Sequence, residues 1–114
     1  MPYLKIQSNK AVDSQHTGEF IRQASQLVAE GLGKPERYVM VSLEPPAPML
    51  FAGSDEPAVF MELKSIGLSE SQTPALSKTL CELAASRLGV VQERVYIEFQ
   101  DAPRKMWGWN GSTF

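Results

Sequence analysis

A chain of 114 residues with a formal net charge of −2 and a pI near 5.4 suits one domain with one core, and the lack of a basic excess speaks against a nucleic-acid partner. Its one cysteine (Cys81) and one histidine (His16) exclude an intrachain disulfide and a paired-cysteine redox motif, and they leave little for a metal cluster or a serine–histidine triad. No apolar run approaches the ~18 residues of a membrane span and the start lacks the layout of a signal peptide, so chemistry falls to carboxylates, lysines, tyrosines or the terminus itself.

The terminus is suggestive. Met1 precedes Pro2, a side chain small enough for the initiator methionine to be trimmed, and the mature chain would then begin with a secondary amine. An α-amino group titrates at about 7.7–8.0, and burial or a nearby cation lowers that value by disfavouring the ammonium. A terminal proline in an apolar pocket is then a neutral base near pH 7. A proline at position two with no chemical task is the plain alternative, and this feature alone does not separate the two.

Tyr3–Gln7 reads as a strand. Phe20, Ile21, Ala24, Leu27, Val28 and Leu32 fall on one helical stripe. That helix begins within Ser14–Gly18, with His16 on its surface, and Gly33 is placed to cap its end. Glu36–Glu44 follows as a strand with Val39, Val41 and Leu43 on one face and Tyr38, Met40 and Ser42 on the other. Ala58–Leu63 is the next strand. Ser69 with Gln72 resembles a capping box, Pro74 marks a helix start, and Leu76, Leu80, Leu83, Ala84 and Leu88 form the stripe that Gly89 ends. Glu93–Asp101 is the last strand, with Val95, Ile97 and Phe99 opposite Tyr96, Glu98 and Gln100.

The chain is therefore written twice, since Leu32-Gly33 followed by Glu36-Arg37 is echoed by Leu88-Gly89 followed by Glu93-Arg94. Each half reads strand, helix, strand, which implies parallel pairing by a right-handed crossover. The fold expected is α/β (α+β), with two pseudo-repeated βαβ units forming a four-stranded mixed sheet under two helices on one face. The other face is left open, and parallel-type sheets are rarely uncovered, so self-association is expected.

At this point the residues resemble a known family, that of macrophage migration inhibitory factor and D-dopachrome tautomerase within the tautomerase superfamily. The likeness spans residues 1–114 as a single domain. It runs through Met1-Pro2, Gly33-Lys34-Pro35 with Tyr38, and Phe51 with Gly53-Ser54 and Glu56-Pro57. It continues through Ser65-Ile66-Gly67, Arg94-Val95-Tyr96-Ile97, Asp101 and Gly108-Trp109-Asn110-Gly111-Ser112-Thr113-Phe114. Single motifs of this kind are fallible, but their order and spacing together are specific. The resemblance implies a homotrimeric barrel and keto–enol tautomerisation of aryl pyruvates such as phenylpyruvate, with isomerisation of dopachrome-type substrates, and it implies no metal or organic cofactor. It leaves open a cytokine-like ligand for a cell-surface receptor with weak or vestigial activity. The missing signal peptide makes the cytoplasm the default expectation, and the resemblance allows release from cells without one.

The resemblance also implies roles. Pro2 is the catalytic base. Lys34 holds the substrate carboxylate, where the ordinary alternative is a solvated loop lysine. Ile66 offers its backbone N–H from a turn that includes Ser65. Tyr96 enters the pocket from a neighbouring subunit, unless it merely packs in the barrel wall. Tyr3, Tyr38, Trp107, Trp109 and Phe114 supply an aromatic lining, although the two tryptophans could equally pack at an interface.

Three positions depart from the familiar cytokine. Glu98 stands where that protein has an asparagine donor, and an ionised glutamate only accepts and repels a substrate carboxylate unless Lys34 or Arg37 neutralises it, so turnover weaker or differently tuned than an asparagine version is expected. Lys64 replaces a histidine and adds positive charge near the mouth. Ala58-Val59-Phe60-Met61 occupies the place of a CxxC motif, which rules out thiol–protein oxidoreductase chemistry there. Cys81 matches a helix cysteine of the family and is expected to be buried.

Overall fold

Two βαβ units meet edge to edge in the computed structural model, which describes residues 1–114. The first comprises β1 (Tyr3–Ser8), α1 (Ser14–Leu32) and β2 (Met40–Leu43), and the second comprises β3 (Val59–Ile66), α2 (Thr73–Leu88) and β4 (Val95–Ala102). A short hairpin, β5 (Gly108–Trp109) and β6 (Ser112–Thr113), closes the chain. Within each unit the strands are parallel, as crossover by a helix requires. The units join through antiparallel β1 and β3, giving the order β2-β1-β3-β4.

Both helices cover one face. Leu4 and Ile6 of β1 and Met61 and Leu63 of β3 are fully buried against Phe20, Val28, Leu76 and Leu80. Removing each such side chain from water contributes roughly 1.5–3 kcal/mol. Gly31 of α1 permits the helices to approach closely, because a Cβ there would stand 2.5 Å from Leu76 Cδ2. The apolar faces of β2 and β4 pack on the same core through Val41, Leu43, Ile97 and Phe99.

Helix ends follow local chemistry. Asp13 caps α1, one residue ahead of the expected window, its carboxylate accepting from Gln15 N–H at 3.0 Å. Ser69 and Gln72 do form a capping box, on a short 3-10 turn over Glu70–Gln72 that leads into α2. Gly33 ends α1 with φ 64° and Gly89 ends α2 with φ 67°, a backbone region costly for other residues.

Some boundaries differ from the sequence reading. Glu36–Tyr38 and Gln92–Arg94 are 3-10 turns, and β2 and β4 start only at Met40 and Val95. The repeat is real, but each copy holds a turn before its strand. β3 continues beyond Leu63 to Ile66, held by pairing of Ser65 with Asp101 and Ile66 with Ala102, so Ser65 and Ile66 close a strand and the turn begins at Gly67. Cys81 is half-buried at the margin of the core, because α2 turns that flank partly outward.

The face away from the helices carries aligned rows. Tyr3 lies beside Met40 and Lys64, and Lys64 beside Gln100. Lys5 lies beside Ser42 and Glu62, and Glu62 beside Glu98. Gln7 lies beside Phe60, and Phe60 beside Tyr96. Met40 and Tyr96 are 66% and 64% exposed. Lys5 and Glu62 approach to 4.0 Å.

The segment between Phe51 and Ala58 is gripped from two sides. The Arg94 guanidinium donates to the carbonyls of Phe51, Ser54, Glu56 and Pro57 at 3.0–3.1 Å and lies 5.1 Å over the Phe51 ring. Asn9 donates to the Asp55 and Glu56 carbonyls and accepts from Ala58 N–H.

Candidate functional site

Pro2 is fully buried at the head of β1, its carbonyl accepting from Met40 N–H at 2.9 Å. Ahead of it opens a cavity of about 350 Å³ whose lining includes Met1, Pro2, Tyr38, Trp107, Trp109 and Phe114. The resemblance grouped these aromatic residues as one lining, and the fold places them around one cavity. The Tyr38 ring stands edge-on to Trp109 and Phe114 at 6.0 and 6.4 Å, while Trp109 stacks on Phe114 at 5.4 Å. The hairpin explains why both tryptophans face one side. Asn110 and Gly111 take φ 52° and 78°, the pair of positive values that a tight two-residue β-turn demands, and Phe114 N–H returns to the Trp107 carbonyl at 3.3 Å. Tyr3 also lines this cavity, its hydroxyl 2.7 Å from that of Ser42.

Lys34 follows the Gly33 cap and reaches across to the end of β3, its Nζ 3.9 Å from where a Cβ on Gly67 would stand. It also acts on the terminus. The Met1 ammonium is held below the ordinary range of a terminal amine, first by burial and then by the Lys34 charge. Ile66 is buried beside this turn, and Asp101 steadies the turn by accepting from Leu68 N–H at 3.0 Å. Ser65 is fully buried, its hydroxyl donating to the Ile66 carbonyl at 3.3 Å.

Tyr96 and Glu98 do not line the Pro2 cavity. Tyr3 is level with Gln100 across β3, and four residues of strand from Gln100 back to Tyr96 span roughly 13 Å. Tyr96 packs instead on Phe51 at 4.5 Å and lines a second, apolar cavity of about 540 Å³ with Leu50, Val59 and Phe60. Glu98 is exposed beside Glu62. Lys64 lies beside Tyr3 on the open face.

Three residues near these features were not foreseen in these roles. Arg37 lines the Pro2 cavity with its guanidinium 4.8 Å over the Tyr38 ring. The sequence offered it only as a charge able to neutralise Glu98. Arg94 and Asp101 were noted as parts of a motif, but their partners are main-chain groups, which leave no trace in a pattern of side chains. No group of three or more His, Cys, Asp or Glu is close enough to hold a metal ion, and no helix is long and apolar enough to cross a membrane.

Comparison with known proteins agrees with this arrangement. The family model for macrophage migration inhibitory factor matches residues 1–114. Macrophage migration inhibitory factor of Mus musculus is 36% identical over 115 residues, covering 100% of this chain and 99% of that protein, and the homolog of Brugia malayi is 37% identical with the same coverage. Among solved structures, the macrophage migration inhibitory factor homologue of Prochlorococcus marinus superposes with a TM-score of 0.93 at 42% identity, covering 98% of each chain. That of Trichinella spiralis gives 0.91 at 32%, covering 98% of this chain and 99% of the other.

Proposed function

Because the chain belongs to the macrophage migration inhibitory factor family, we propose that it is a keto–enol tautomerase of aryl 2-oxo acids, phenylpyruvate among them, with Pro2 as its base once Met1 is removed. The observation that carries this reading is the chain start itself, buried at an aromatic cavity where a terminal amine feels both desolvation and Lys34. The neutral Pro2 nitrogen takes a proton from the carbon beside the keto group. The electrons of that C–H bond form the enolate, and the resulting ammonium returns the proton to oxygen to give the enol. Lys34 is assigned the substrate carboxylate, and its charge also favours the enolate. The backbone N–H of Ile66 is assigned to the ligand, while Ser65 serves the shape of that strand end. The test is tautomerisation of phenylpyruvate by protein shown by mass spectrometry to begin at Pro2. A protein that binds but never converts aryl keto acids would leave the receptor-ligand reading.

The active assembly in this reading is a homotrimer, in which a neighbouring copy brings Tyr96 and Glu98 to the Pro2 cavity. Two features favour it: Tyr96 lies too far from Pro2 of its own chain, and the open face exposes Met40 and Tyr96.

Two expected results follow. A base acts when neutral, so activity is present above the amine's pKa and is lost as pH falls through it. Lys34 is one of the two influences lowering a terminal amine here, after burial. Lys34→Gln is therefore expected to move the acid limb of kcat/KM to higher pH and to raise KM for phenylpyruvate about tenfold, the usual worth of a charged hydrogen bond. An unmoved limb would remove Lys34 from the site. Glu98→Asn replaces an acceptor with a group that also donates and relieves the like charge of Glu62, and kcat/KM for phenylpyruvate is expected to rise by about three- to tenfold. An unchanged or lower value counts against a place for Glu98 at the substrate.

A further inference from the structure

Lys34 and Arg37 are both cations without an anionic partner within their own chain, whose lysine and arginine ion pairs join Lys5 to Glu62 and Arg87 to Glu19. They approach the chain start from different margins. Lys34 extends over the Gly67 turn, while Arg37 lies flat on Tyr38, inside the cavity lining. The other walls that this chain gives the cavity are largely aromatic or apolar, and no carboxylate side chain of the same chain belongs to the lining. A neutral aryl end would need only the aromatic wall. A guanidinium held against a ring keeps its N–H edge free to accept a carboxylate or a phosphate.

We propose that Arg37 is a specificity-determining residue that reads a second anionic group, so that the substrate class favoured by this site is aryl or similarly flat 2-oxo acids carrying two negative charges, one at each end. This deepens the tautomerase reading and rests on it for the keto-acid end. Lys34 takes the carboxylate beside the reacting carbon, and the ring lies against Tyr38, Trp109 and Phe114. Arg37 then meets the distal anion at the rim. Because Arg37 is exposed, the distal contact is partly screened by water and salt. Its contribution falls on binding rather than on proton transfer, so it acts on KM and leaves kcat alone.

The experiment compares phenylpyruvate with 4-carboxyphenylpyruvate on the wild type and on Arg37→Gln, at low and at physiological salt. In parallel, binding of the unreactive 3-(4-carboxyphenyl)propanoate is followed by quenching of Trp107 and Trp109 fluorescence. The wild type is expected to show a KM about tenfold lower for the dianion. Arg37→Gln is expected to raise that KM, and the dissociation constant of the unreactive diacid, about five- to tenfold. Phenylpyruvate should change by less than about twofold, and kcat on both substrates should hold. Equal KM values for the two substrates in the wild type overturn the proposal while leaving tautomerisation intact. Equal losses on both substrates also overturn it, since they indicate an Arg37 engaged by the protein itself, for example by Glu98 of a neighbouring copy. If nothing turns over but the diacid binds in an Arg37-dependent way, the tautomerase reading fails and the dianion site stands.

Discussion

A chain that carries one extra residue ahead of Pro2 is expected to turn over phenylpyruvate roughly 10²–10⁴-fold more slowly than a chain that begins there, the usual contribution of a positioned base. The reason is electronic before it is steric. Joined to a preceding residue, the proline nitrogen is part of an amide whose lone pair is delocalised into the carbonyl. Freed, it is an amine. The amine of a retained Met1 is also shifted downward by burial and Lys34, but it lies one residue away, about 3.8 Å along the backbone. A displacement of that size is enough to lose a near-attack geometry. Pro2→Gly separates the two factors, because it keeps a terminal amine in place while giving up the rigid ring that aims it. Its rate is expected to fall about a hundredfold. The measurement is steady-state tautomerisation on preparations whose first residue is verified by mass spectrometry. If extended, glycine-started and wild-type chains convert phenylpyruvate equally well, the terminal amine is not the base.

Arg94→Ala is expected to cost about 2–3 kcal/mol of stability, the largest effect anticipated away from the cavity, and to lower the melting temperature by about 10 °C. Four carbonyls accept from that one guanidinium, and truncation leaves them to whatever water can reach the loop. Two are partly buried, those of Phe51 and Ser54, and they bear most of the penalty. Arg94→Lys keeps the charge but has no planar fork and so cannot address carbonyls on two sides at once. Its loss is expected to be about half that of alanine. Thermal unfolding followed by circular dichroism at a fixed protein concentration checks both, since association would otherwise shift the midpoint. A lysine variant as stable as wild type would mean that the charge over Phe51, not the hydrogen-bond fork, holds the segment.

The contrast between these two positions marks what a sequence exposes. Pro2 announces itself by place, and the aromatic residues at 38, 107, 109 and 114 announce themselves by type. The doubled pattern was equally plain, because apolar stripes and the glycines at 33 and 89 obey local rules of periodicity and capping. The central pairing of Tyr3 with Lys64 was not, since an antiparallel contact across 61 residues has no local signature. Three-residue turns such as Glu36–Tyr38 have too little length to show a period, and they hid inside runs that read as strand. β3 appeared to stop at Leu63 because Lys64 and Ser65 are polar. Yet Lys64 faces the open side, and Ser65 is a polar group whose hydrogen bond lies within the strand. The Asn110-Gly111 signal for a tight hairpin was present and went unread, and it is the hairpin that turns both tryptophans to the cavity. Lys34 could be assigned a role by resemblance, but its reach over Gly67 required the fold.

The clamp on residues 51–57 has one more consequence. Asn9 and Arg94 hold main-chain atoms there, and a carbonyl is the same whichever side chain accompanies it. The shape of the segment is thus encoded largely outside it, apart from Phe51 under the guanidinium, Ala52 and Gly53, whose φ values are positive, and Ser54, whose hydroxyl accepts from Glu56 N–H at 3.2 Å. Asp55 and Glu56 owe the loop nothing through their own carboxylates. They are positions where evolution or a selection library can write new surface chemistry without redrafting the backbone that displays it.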